Sequence, residues 1–242
     1  FKVNGKAVGT AQLLPRNGEV MISLNQLNAG SHEIVADYLG DDNFLPSSKT
    51  LVQHVNQKQT IELKSSENPS IYGETIHIIA TMKGEEGADF NGVLQLKIEG
   101  KDFDKPHRIS IGTPAVINIT DLNAGSHKIE AILFDEKVGS IKAALIQHIH
   151  KAKTEMKLSS ASSFTEHESV EVKGTVTAKN LIPKGFIQFN VNEENIGEPQ
   201  TLSEKGEVVM NLGKLEPGTY QIAGKYLGNE NFISSSAIFT LQ

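Results

Sequence analysis

Two histidines stand in identical settings. Leu27-Asn28-Ala29-Gly30-Ser31-His32 returns letter for letter as Leu122-Asn123-Ala124-Gly125-Ser126-His127. An imidazole changes charge near neutral pH and can act as base, acid or metal ligand. A third version, Leu215-Glu216-Pro217-Gly218-Thr219-Tyr220, carries tyrosine at the same place. A phenol ionises near pH ~10 and cannot stand in for imidazole as a base. The role open to all three of His32, His127 and Tyr220 is structural: a ring whose polar tip bonds upstream backbone, as in a tyrosine corner. His148 and His150 lie at i and i+2, on one face of a strand. Two imidazoles there could begin a transition-metal site. No third ligand accompanies them, so solvated or junction-packing histidines are expected. Asp41, Asp42 and Asn43 share one loop, and Glu230 sits in its later counterpart. They offer a few of the roughly six to eight oxygens Ca²⁺ takes, without EF-hand spacing; turn chemistry accounts for them.

The remaining candidates carry no constellation. Asn118-Ile119-Thr120 matches the N-glycosylation sequon but falls within an expected strand. Glu85-Glu86 and Glu193-Glu194 lie in expected loops without a matching acid or base, and read as solvated surface. Gly-x-Ser-x-Gly, His-Glu-x-x-His and phosphate-cradling glycine loops are absent from the sequence. Aromatic residues make up 6%, and many occupy inward positions, which leaves little for a carbohydrate-stacking platform. The sequence therefore assigns no catalytic, cofactor-binding or metal-ligating residue, and the expectation is a protein that is not an enzyme.

Composition narrows the class further. The formal net charge of −6 disfavours a nucleic-acid partner, which calls for a basic face. With no cysteine, disulfides, thiolate nucleophiles and cysteine-based zinc sites are excluded. Trp is also absent, which fits poorly with a vertebrate secreted immunoglobulin domain and its disulfide and buried Trp. No apolar run approaches the ~18–20 residues of a membrane helix. Phe1 falls inside a repeat, so the sequence reads as part of something longer.

The elements that position these residues follow from the repetition. The hexapeptides recur at spacings of 95 and 93 residues, the length of a whole small domain. Leu27, Leu122 and Leu215 each lie 26 residues after Phe1, Leu96 and Phe189, which begin matching alternating runs. Val20, Ile22 and Leu24 alternate before the corner, and Ile34, Ala36 and Tyr38 after it, so a strand is expected on either side. The middle position of the second run is always small (Ala36, Ala131, Gly224), as suits close approach of a facing sheet. Tyr38-Leu39-Gly40-Asp41-Asp42-Asn43-Phe44 reappears as Tyr226-Leu227-Gly228-Asn229-Glu230-Asn231-Phe232: a hairpin turn whose Phe should re-enter the core. In the second copy Phe134-Asp135-Glu136-Lys137-Val138-Gly139 stands there instead.

The fold expected is all-β: tandem immunoglobulin-like β-sandwiches, one partial and two complete, with almost no helix. The units are 1–57, a partial repeat lacking its first two strands, then 58–151 and 152–242. A full repeat should hold about seven strands. Ile34, Tyr38, Ile129, Ile222 and Tyr226 should be buried. The junctions at 57/58 and 151/152 are short and polar, and a modest hinge is expected at each.

Phe1-Lys2-Val3-Asn4-Gly5-Lys6, the Leu-Asn-Ala-Gly-Ser-His corner, the Tyr38–Phe44 turn and Asn68-Pro69-Ser70-Ile71-Tyr72-Gly73 resemble the bacterial immunoglobulin-like repeats of large surface and secreted proteins. The chain departs from that pattern at Glu193, where Gly is usual, at Tyr220 for His, and in the lost turn of the second copy. The resemblance implies an extracellular or cell-surface setting and a structural spacer or stalk, of the adhesin type, whose partners are the neighbouring repeats of the same chain. The alternative it implies is a module that itself contacts a host surface protein or glycan through its loops. Repetition adds length without new chemistry, and the residues kept among the copies are core and corner residues, so the spacer is the expectation.

Overall fold

The computed structural model describes residues 1–84, 92–135, 139–160 and 168–242. Glu85-Glu86 and residues 136–138 of the altered turn lie outside the described residues. Among the described residues every regular element is a β-strand. The first repeat contains β1 (Lys2–Val3), β2 (Lys6–Ala7), β3 (Gly30–Tyr38) and β4 (Ser47–Val55). The second contains β5 (Thr60–Ser65), β6 (Ser70–Ile71), β7 (Ile76–Lys83), β8 (Gly92–Ile98), β9 (Lys101–Ile109), β10 (Ala115–Ile119), β11 (Gly125–Asp135) and β12 (Gly139–His150). The third contains β13 (Glu155–Ser160), β14 (Val170–Thr177), β15 (Phe186–Val191), β16 (Glu194–Thr201), β17 (Glu207–Gly213), β18 (Tyr220–Tyr226) and β19 (Ser235–Leu241).

Both complete repeats are two-sheet sandwiches. In the second, sheet β10-β7-β5 packs on sheet β6-β12-β11-β8-β9; in the third, β13-β14-β17 packs on β16-β15-β18-β19. Alternation makes this possible, because every second side chain points to the same face. Ile76, Ile78, Ala80 and Met82 of β7 meet Leu94 and Leu96 of β8 and Ile129, Ala131 and Leu133 of β11 in one buried cluster. Val170, Val172 and Val176 of β14 meet Ile187, Phe189, Ile222 and Tyr226 in the other. The small middle position is explained by this packing. A Cβ on Gly224 would overlap the Met156 methyl and lie 3.0 Å from Leu158 Cδ2, both on the facing sheet.

The first repeat is half of this design. Its sheet β2-β1-β3-β4 corresponds to β16-β15-β18-β19, and no facing sheet covers it. Three expectations are corrected here. Val20, Ile22 and Leu24 form no strand, although their counterparts do as β10 and β17. Those strands are held by ladders to β7 and β14, and residues 1–57 contain no equivalent partner. Ile34 and Tyr38 are only half-buried, whereas Ile129, Ile222 and Tyr226 are fully buried. Phe44 does not re-enter a core: it is 68% exposed, while Phe232 is 6% exposed. What remains is an open groove of about 700 Å³ lined by Phe1, Ile22, Leu24, Leu27, Ile34 and Leu51.

Candidate functional site

The corner rings do what a structural corner requires. His32 Nε2 donates to the Asn28 carbonyl at 2.7 Å and His127 Nε2 to the Asn123 carbonyl at 2.8 Å; Tyr220 OH donates to the Glu216 carbonyl at 2.9 Å. In each case a ring tip reaches the carbonyl four residues upstream. The Nε2 protons of His32 and His127 are thus committed to backbone, which leaves neither ring free as a two-nitrogen base or ligand.

The turn between the first two sheet strands of each repeat is built alike. Asn4 and Gly5, Glu99 and Gly100, and Asn192 and Glu193 all adopt positive φ, as a tight hairpin demands. The first residue of each pair then accepts from the neighbouring strand: Glu33 N donates to Asn4 Oδ1, Lys128 N to Glu99 Oε1 and Gln221 N to Asn192 Oδ1, at 3.0, 2.8 and 2.9 Å.

The other sequence candidates resolve into local structure. His148 Nδ1 is hydrogen-bonded to Ser126 Oγ across the β11–β12 ladder, and His54 Nδ1 to Ser31 Oγ in the matching place of the first repeat. Among the described residues no group of three or more metal-ligating side chains comes together. Asp41 spends its oxygens within its own loop: Oδ1 accepts from the Asn43 and Phe44 amides at 2.8 and 2.9 Å, and Oδ2 from Tyr38 OH at 2.8 Å. The Asn43 amide, with help from the Tyr38 hydroxyl, holds the Asp41 carboxyl below its ordinary range. The same hydrogen bond from Tyr38 to Asp41 raises the phenol above its ordinary value. Asn118 Oδ1 is hydrogen-bonded to His77 Nδ1 at 2.7 Å across the β10–β7 ladder.

Residues from distant parts of the chain come together at the junction of the second and third repeats. The connection itself is hydrogen-bonded on both sides. Tyr72 N donates to the His150 carbonyl, Ala152 N to the Asn231 carbonyl and Ile233 N to the Ala152 carbonyl. Between them, Lys151 Nζ donates to the Asn229 carbonyl at 2.7 Å. Asn231 enters the corner of the second repeat. Its Oδ1 accepts from Ala124 N at 2.8 Å, its Nδ2 donates to Asn123 Oδ1 at 3.0 Å, and it is 8% exposed. Tyr72 meets Phe232 edge to face, with ring centroids 5.4 Å apart. Gly73 lies so close to Leu181 that a Cβ there would overlap its methyl groups.

The motif that carries Tyr72 and Gly73 is anchored in turn. Asn68 Nδ2 donates to the Ile146 carbonyl and its Oδ1 accepts from His148 N, at 2.7 and 2.9 Å. This pins the segment beside β12, where β6 pairs in parallel. The expected hinge at 151/152 is thereby corrected. Apolar surface was available from Tyr72, Leu181 and Phe232, and Asn231 satisfies the corner's backbone donor. Sequence reasoning passed over Asn231. Its signal was present: Asn43 and Asn231 are both kept in the turn, yet only the preceding Asp41 or Asn229 side chain is used to shape it.

Between the first and second repeats, the hydrogen bonds among described residues include no counterpart of this fastening. The fastening uses the Asn231-Phe232 turn of the following repeat, and the second repeat has the sequence Phe134–Gly139 at the corresponding place.

Sheet pairing, sandwich packing and corner together define an immunoglobulin-like β-module built in tandem. The sequence profile of the bacterial Ig-like domain (group 3) matches residues 1–56 and 156–242, and the chain belongs to that family. Residues 57–155 lie outside the two matched segments. Among solved structures, a two-domain fibronectin type III segment of chicken tenascin is similar at 15% identity. That similarity covers 77% of this chain and 100% of that one, with a TM-score of 0.39. A putative membrane-anchored protein from Corynebacterium diphtheriae is similar at 11% identity over 86% of this chain and 57% of that one, with a TM-score of 0.33. The three N-terminal domains of the bacteriophage RB49 outer capsid protein Hoc are similar at 15% identity over 76% and 58%, with a TM-score of 0.32. No curated protein matches the sequence. No helix among the described residues is long and apolar enough to cross a membrane.

Proposed function

We propose that the chain is a structural spacer within a bacterial cell-surface or secreted protein, of the adhesin type, without catalytic activity of its own. The observation that supports this reading most is the junction of the second and third repeats. A fastened junction carries force and orientation from one module to the next, as suits a spacer. Here a buried asparagine, an aromatic pair and backbone hydrogen bonds fasten one repeat to the next. The polar side chains that sequence reasoning weighed as chemistry are largely engaged in corners, turns and ladders. The family of bacterial Ig-like domains agrees with a surface setting.

Small-angle scattering on the chain together with a binding screen against host matrix proteins and glycans tests this proposal. An elongated particle with no saturable submicromolar partner is expected. A partner of that affinity, abolished by loop substitutions, would move the function from spacer to binding module.

A further inference from the structure

The Leu39–Phe44 turn of the first repeat has the same internal construction as Leu227–Phe232. Asn43 and Phe44 amides donate to Asp41 Oδ1 at 2.8 and 2.9 Å, as Asn231 and Phe232 amides do to Asn229 Oδ1. Asp41 N donates to the Phe44 carbonyl at 3.0 Å and Asn229 N to the Phe232 carbonyl at 3.1 Å. Gly40 and Gly228 both adopt positive φ, at 80° and 73°, where a Cβ would crowd the backbone of residues 44 and 46 or 232 and 234. The two turns differ in what surrounds them. Asn231 and Phe232 are buried against the second repeat, whereas Asn43 and Phe44 face solvent.

We propose that the Leu39–Phe44 turn is a pre-formed plug for another Ig-like repeat. That repeat would carry an Asn-Ala-Gly corner of the Asn123-Ala124-Gly125 type and stand before the first repeat in the same chain. The occupant is identified by the pair already in place. The corner presents one backbone donor, Ala124 N, and one side-chain acceptor, Asn123 Oδ1, and an asparagine amide supplies the complement of both. An aromatic ring beside the corner then receives the turn's Phe edge to face, as Tyr72 receives Phe232. Asn43 and Phe44 reproduce both groups on the same backbone. The inference goes beyond the spacer reading, because such a joint would form whether the array spaces a head domain or binds through its loops. It also implies a code: a repeat with the Gly-x-x-Asn-Phe turn is fastened to the one before it, and the second repeat, which lacks that turn in sequence, shows no such hydrogen bond to the first among the described residues.

Amide hydrogen exchange tests the code in the whole chain. Ala124 N–H should exchange about tenfold more slowly than Ala29 N–H, the factor for a hydrogen bond worth about 1.4 kcal/mol. N231A should bring Ala124 to the Ala29 rate. The double substitution N229D/E230D turns Leu227–Phe232 into the sequence of Leu39–Phe44; protection of Ala124 N–H should survive it. Its loss there, with the third-repeat core still protected, would show that the first repeat's turn is not a competent plug. The second arm extends the chain at its N-terminus with a copy of residues 58–188, which places a corner ahead of Phe1 in the relation Ala124 holds to Phe189. The added corner's Ala N–H should be protected, and N43A should abolish that protection. An added repeat that folds while its corner amide exchanges as fast as Ala29 overturns the proposal. So does concentration-dependent association of the 242-residue chain that N43A removes, because the occupant is then a second copy.

Discussion

The edge-to-face pair of Tyr72 and Phe232 gives the sharpest handle on whether two repeats act as one unit. Independent domains would confine the effect of Y72A to the second repeat. In this structure Tyr72 packs on the third-repeat core, so Y72A should also destabilise the third repeat. Phe232 is almost wholly buried, so F232A should cost about 3–5 kcal/mol. A ring pair at 5.4 Å and an interplanar angle of 81° lies within the favourable edge-to-face range. The coupling in a Y72A/F232A double-mutant cycle should then be about 0.5–1.5 kcal/mol. Two unfolding transitions are possible in a multidomain chain, so they must be followed separately. Denaturant unfolding monitored by NMR signals of Val172 and Val176 for the third repeat, and of Ile78 and Leu94 for the second, does this. A coupling energy below about 0.3 kcal/mol, within ordinary additivity error, would refute the reasoning. So would a Y72A variant whose third-repeat midpoint is unmoved.

Other perturbations probe the elements that build each repeat. E193G should stabilise the third repeat by about 0.5–1 kcal/mol, because Glu193 sits at φ 70° where the other two copies have Gly; thermal denaturation reads it, and a destabilised variant would contradict it. Y220F removes the hydroxyl bond to the Glu216 carbonyl and should cost about 1 kcal/mol in the third repeat, measured by urea midpoint. The Asp41 carboxyl is held below its ordinary 3.8 by hydrogen bonds that exist only in the folded turn. Its stabilising effect is therefore complete above that unfolded value and is lost as pH falls through the lower folded value. On acidification below about pH 4, Asn43 and Phe44 amide signals should shift as the turn loosens. D41N should remove this titration, and Asn231 and Phe232 signals should not follow it, because Asn229 does not titrate.

The sandwich architecture was legible because period-2 alternation and a recurring corner are local signals. His32, His127 and Tyr220 were readable as one structural position because tyrosine replaces histidine in one copy, and the ring-to-carbonyl bonds have the expected form. Alternation alone misled at Val20, Ile22 and Leu24. A strand needs a partner for its ladder, and the pattern of a single segment does not report whether that partner is present. The same limit explains Ile34, Tyr38 and Phe44, whose burial depends on a second sheet or a neighbouring repeat. The fastening by Asn231 was hidden for another reason. Its partners, Asn123 and Ala124, lie in a different repeat, and an asparagine in a turn is already explained by turn chemistry. Only its retention at a position the turn itself does not use distinguishes it.

The central claim is that the array is mechanically joined where the Asn-Phe turn is present and free where it is not. Lys6, Lys101 and Glu194 occupy the same exposed position in the three repeats, and the chain has no cysteine to interfere with labelling. Pulsed electron–electron distance measurements on the spin-labelled pairs K101C/E194C and K6C/K101C compare the two junctions like for like. The account predicts a narrow distance distribution for K101C/E194C, broadened by N231A, and a wide one for K6C/K101C. Equal widths for the two pairs, or a K101C/E194C distribution that N231A leaves unchanged, would contradict it.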